Sequence, residues 1–175
     1  MLLNQILTIN CKYYKIIENN IANPAFVLKN YYFCSRIIKL KIMEQVNPID
    51  EARRYVANAL EIIEKSKYDP ETKLYKDKKY VRIAGDTLWK GCLIALDAVF
   101  QVRKGKGRPS IEKYKEAVSK RDGKLLQFVN SGYETMHLYM GYDGNKDRKV
   151  CNAGFDMANN IIDRCALLYP GDACA

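Results

Sequence analysis

One short stretch, SGYETMHLYMGYDG, holds the residue types that acid–base chemistry needs. His137 is the sole histidine of the chain, and an unperturbed imidazole changes charge close to neutral pH. Asn130, Glu134 and His137 follow at spacings of four and three, which places them on one helix face, with Tyr133 a turn before His137. A histidine beside a carboxylate can take up and pass on a proton. The spacing supplies no nucleophile and no second acid–base partner. A half-buried, hydrogen-bonded histidine among tyrosines is therefore the preferred reading. His137, Tyr133, Asn130 and Glu134 form a candidate binding or polar site, and no residue is assigned a catalytic role. No metal or cofactor is expected, because one histidine and scattered cysteines do not make a spaced ligand set.

The elements that must position this stretch are helices. Residues 80–102, YVRIAGDTLWKGCLIALDAVFQV, carry a wide apolar face through Ala84, Leu88, Cys92, Ala95, Leu96, Val99 and Phe100, extended by Trp89, Leu93 and Ile94. The only polar stripe is Asp86, Lys90, Asp97 and Gln101. A helix apolar on nearly all sides belongs in the middle of a bundle. It is not a membrane span, since charges interrupt it every turn or two.

Before it, Asn47-Pro48-Ile49-Asp50 is a helix start. Ile49, Ala52, Val56, Ala59, Leu60 and Ile63 then recur at three and four, until Asp69-Pro70 forbids continuation. The lysine-rich segment SKYDPETKLYKDKKY reads as a solvated loop pinned by Tyr75 and Tyr80. The central helix is expected to stop at Gly105, and the basic RKGKGRPS loop lacks the spacing of a phosphate-cradling Walker loop. Three more helices follow, over about 111–120, 124–140 and 147–168, broken by Asp122-Gly123 and by Gly141-Tyr142-Asp143-Gly144. The expected fold is all-α, an up-and-down helical bundle of four to five helices.

The first 42 residues differ from the rest. They contain no Gly, no Asp and one acid, Glu18, and are crowded with Ile, Asn, Lys, Tyr and Phe, whose codons are AT-rich. We expect Met43 to be the true start and residues 1–42 to be a mis-assigned or disordered extension, with residues 43–175 as a single bundle domain. The segment lacks the basic n-region and small-residue cleavage site of a targeting signal. The full chain carries +9, but residues 1–42 hold six basic residues and one acid. The remainder is only mildly basic, which weakens the argument for a nucleic-acid surface. The cysteines form no CxxC pair and read as packing residues in a reducing, cytoplasmic setting.

Over residues 47–168 the segments ARRYVANALEIIEKS, YVRIAGDTLWKGCLIALDAVF and KLLQFVNSGYETMHLYMGYDG resemble a HEPN-like helical bundle. More narrowly they resemble a Bacteroidetes-type family of bacterial domains of unknown function. The resemblance implies four or five helices, frequent pairing as homodimers and, in active members, metal-independent ribonuclease activity. Their motif is an Arg, four to six residues, then a His. His137 alone fits the second position, and Asn130, Ser131 and Gly132 stand where Arg belongs. The resemblance therefore implies a non-catalytic binding or interaction module, a homodimer with a protein or RNA partner and no membrane. The rival is a ribonuclease using His137 with Arg82, Arg121 or Arg148. Tyr133, Tyr139 and Tyr142 gather near the Gly141 turn, as aromatic residues do at interfaces.

Overall fold

The chain starts its first described helix where a proline can tolerate the missing hydrogen bond. In the computed structural model, residues 47–169 are described, Lys104 and Lys106 excepted, and the expectation for residues 1–42 lies outside them. Helix α1 spans Pro48–Glu64. The Asn47 side chain accepts a hydrogen bond from the Ile49 amide at 2.9 Å, and Asp50 and Glu51 sit in the first turn, where the helix dipole favours them. Ile49, Ala52, Ala59 and Ile63 are buried. Leu60, expected in the core, is exposed, so the buried stripe is narrower than the sequence periodicity suggests.

The segment read as a plain loop contains a small hairpin. Strands β1 (Tyr68–Asp69) and β2 (Leu74–Tyr75) pair antiparallel, with Tyr68 opposite Tyr75 and their rings edge-on at 5.8 Å. Asp69 accepts from the Glu71 amide at 3.1 Å and Lys73 takes a left-handed φ of 58°, which together turn the chain. The Tyr75 amide donates to the Lys146 carbonyl, tying the hairpin to the segment before the last helix. Tyr75 packs on the core, as expected of it. Strands two residues long leave no alternation to detect. Ser66, almost fully buried, accepts from the Asp77 amide and donates to the Asp77 carbonyl, closing the base of the hairpin.

Helix α2 spans Lys78–Phe100, capped by Asp77 through the Lys79 amide at 2.8 Å. Eleven of its residues are buried, Trp89 among them, and it packs against α1, against the last helix and against the segment carrying His137. It ends at Phe100, earlier than Gly105, because Gln101 adopts a left-handed φ of 50° and its amide bonds the Asp97 carbonyl. A connector (101–110) leads to α3 (Ile111–Ser119), which buries Tyr114 and Val118. Helix α4 (Gly123–Gly132) is capped by Asp122, whose carboxylate accepts from the Lys124 and Leu125 amides, each at 3.0 Å. Helix α5 spans Arg148–Leu168 and is capped by Asp147.

Between α4 and α5 the chain does not continue as the α-helix expected to Met140. From Tyr133 to Tyr142 it winds as a π-helix, and the Asp143 amide closes it on the Leu138 carbonyl five residues back. Gly85 of α2 explains how closely this segment approaches. A Cβ there would stand 2.6 Å from the Met136 carbonyl oxygen and 2.7 Å from the Gly141 nitrogen, two groups at the five-residue spacing of a π turn. Met136 and Met140 are fully buried beneath it. The fold is an all-α helical bundle around α2, with one two-stranded hairpin among the described residues.

Candidate functional site

The polar stripe of α2 and the aromatic stripe of the π-helix face one another across an open cavity of about 200 Å³. From α2 come Asp86, Trp89 and Lys90, and from the π-helix Tyr133 and His137. Arg108 and Pro109 of the connector, with Ile111 and Tyr114 of α3, close the far side. Tyr133 and His137 are four residues apart and their rings stack obliquely, centroids at 5.2 Å. The Trp89 ring lies 5.6 Å from Tyr133, edge-on, and 6.4 Å from His137. Lys115 rests its ammonium 5.5 Å above the Tyr133 ring, a cation–π contact.

The carboxylate nearest to His137 is Asp86. Its Oδ1 stands 3.8 Å from His137 Nδ1, beyond hydrogen-bonding range, so the two attract only when the imidazole is protonated. The side chains are 41% and 52% exposed, and solvent screens that attraction. His137 Nδ1 itself is buried and has no hydrogen-bond partner. Gly141 admits Asp86 to this position, since a Cβ there would lie 2.6 Å from Asp86 Oδ1.

The site differs from the sequence expectation in its membership. Asn130 and Glu134 do not line the cavity, and Glu134 points to solvent. Counting by threes and fours assumes α winding, and the winding changes at Tyr133. Asp86, Lys90 and Arg108 were not named as site residues. The signal was present for two of them, because Asp86 and Lys90 form the only polar stripe on an otherwise apolar helix. Arg108 is brought in by the fold of the connector, which no spacing reveals. Arg82, Arg121 and Arg148 are engaged elsewhere: Arg82 donates to the Tyr142 carbonyl at 2.7 Å, Arg121 lies over Phe100 and Arg148 over Tyr68.

The nearest of the positions at which the ribonuclease motif calls for Arg, Gly132, is buried in the core. A Cβ on Gly132 would meet Met136 Cε at 2.8 Å and Ile161 Cδ1 at 2.9 Å, inside the core. Cys92, Cys151 and Cys165 are buried, and burial pushes all three thiols up, Cys151 and Cys165 to about 12. They hold no thiolate at neutral pH. Among the described residues no group of three or more His, Cys, Asp or Glu is placed to hold a metal ion. No helix among them is long and apolar enough to cross a membrane.

Fold and site together define a small helical bundle with an aromatic, cation-flanked cleft beside its central helix. The chain belongs to the family described as Domain of unknown function (DUF5618), which matches residues 47–166. That span agrees with the stretch over which the sequence resembles bacterial domains of unknown function. A solved structure of similar fold is a protein of unknown function from Dyadobacter fermentans. It is 40% identical, with a TM-score of 0.63, and the match covers 67% of this chain and 93% of that one. No curated protein matches the chain.

Proposed function

We propose that this protein is a HEPN-like bundle that serves as a non-catalytic binding module in the cytoplasm, paired as a homodimer and engaging an RNA or protein partner. The observation that carries the reading is the composition of the His137 cleft. The partly exposed rings of Tyr133 and His137, backed by the buried Trp89, offer an aromatic wall to a ligand. A ribonuclease needs in addition a cation fixed on the scissile phosphate next to the imidazole. Asn130, Ser131 and Gly132 provide none.

The second reading, a metal-independent ribonuclease using His137, draws on a different observation. Lys90 and Arg108 line the same cavity as His137, so a cation from outside the motif is within the site. One assay separates the two. The purified full chain should leave single-stranded RNA intact with or without divalent metal, and His137→Ala should change nothing in that assay. Cleavage that disappears in His137→Ala would overturn the binding-module reading and establish the ribonuclease.

A further inference from the structure

A second cavity, also of about 200 Å³, opens further along α2 beneath the connector. Three cations line it, Lys90 from α2 and Arg103 and Arg108 from the connector. None of the three is engaged in an ion pair or hydrogen bond with another described residue. The one acid in the lining, Asp97, is already committed, because the Tyr114 hydroxyl donates to its Oδ1 at 2.8 Å. The cavity therefore carries two uncompensated positive charges. All three cations are exposed, so solvent screens their mutual repulsion, and an anion between them would relieve what remains.

We propose that this cavity binds a phosphate monoester as its dianion. Two formal charges match the excess, and the two guanidiniums can each present a planar pair of N–H donors to phosphate oxygens. Lys90 adds a point charge from the opposite wall. The remaining lining is Tyr55, Leu93 and Ile94, an apolar wall that suits the organic substituent of an ester and contributes nothing to a bare ion. Burial first, and then the bond to Asp97, raise the Tyr114 hydroxyl far above the ordinary tyrosine range, while Arg108 and Arg103 pull it back down. This cavity shares Lys90, Leu93, Arg108 and Tyr114 with the His137 cleft. Arg103 lines this cavity and not the His137 cleft, so it isolates one site from the other.

The test is isothermal titration of the full chain with phenyl phosphate at low salt and about pH 8, where the ester is a dianion. Saturable one-to-one binding is expected, with inorganic phosphate and benzenesulfonate each several-fold weaker, the first lacking the ring and the second lacking the second charge. Arg103→Ala should weaken phenyl phosphate binding by about tenfold or more, the loss of one charge-assisted bond. Arg121→Ala, a cation over Phe100 outside the cavity, should leave it unchanged. Absence of saturable binding would overturn the proposal, as would equal affinity for benzenesulfonate or for inorganic phosphate. An affinity insensitive to Arg103→Ala, or lost equally in Arg121→Ala, would do the same by showing only general attraction to a basic surface.

Discussion

At the scale of single residues, Asp122 joins more of the structure than any other acid described. It is almost fully buried, caps α4 through two amides and accepts a 2.6 Å bond from Arg164 Nε of α5. The Leu125 amide above all, and then Arg164, hold its carboxyl below the usual carboxylate range. A folded-state value depressed in this way means stability that is present above the unfolded value of about 3.9 and lost as pH falls through the folded one. Asp122→Ala should lower stability at neutral pH by about 1–3 kcal/mol, through the lost cap and the stranded guanidinium. Denaturant titrations should show that gap narrowing as pH falls below about 3.9 and through the depressed folded-state value, where the wild-type carboxylate is itself protonated. Asp122→Asn should fall between the two, since an amide oxygen can still cap but carries no charge. A gap that stays constant with pH would contradict the role given to the ionised carboxylate.

At the scale of elements, the contact between α2 and the π-helix decides where the candidate site lies. Gly85 permits that contact, and a methyl group there would meet backbone atoms that cannot rotate away. Replacing a glycine by alanine inside a helix ordinarily stabilises it by roughly 0.5–1 kcal/mol. Gly85→Ala should do the opposite and cost about 1–3 kcal/mol, the usual range for overpacking. The same variant should shift the emission of Trp89, the only tryptophan, because Tyr133 and His137 would move with the π-helix. A rise in melting temperature, with unaltered fluorescence, would show that the two helices are not held at this distance.

At the scale of the whole molecule, the proposed homodimer has a surface to use. Tyr142 is 76% exposed, Tyr139 of the π-helix and Ile83 of α2 are also exposed, and Arg82 of α2 reaches the Tyr142 carbonyl. Exposed aromatics with a polar end favour protein interfaces. Light scattering at micromolar concentration should give about twice the 20.2 kDa of one chain. Tyr142→Asp combined with Ile83→Asp should return it to the mass of one chain while its helical circular dichroism is retained. A wild-type protein that scatters as a single chain would remove the dimer from the proposed function.

The sequence by itself determined the bundle. An apolar surface nearly all the way round residues 80–102 leaves α2 no stable place except between neighbours, and Asn47-Pro48 marks a helix start by chemistry local to a few residues. It also singled out His137 and Tyr133, which share the cavity, and it set Asp86 and Lys90 apart as a polar stripe without saying what they faced. What only the tertiary structure decided is the company His137 keeps. The change to π winding depends on the fit of Met136, Met140 and Gly141 against Gly85, a long-range contact that no local propensity encodes. That change leaves Asn130 and Glu134 outside the cavity and brings Asp86 towards the imidazole. Arg103, Arg108 and Lys90 line one cavity through the fold alone. Convergence of charges distant in sequence is a property of the folded chain, since the spacing between them carries no periodicity to read.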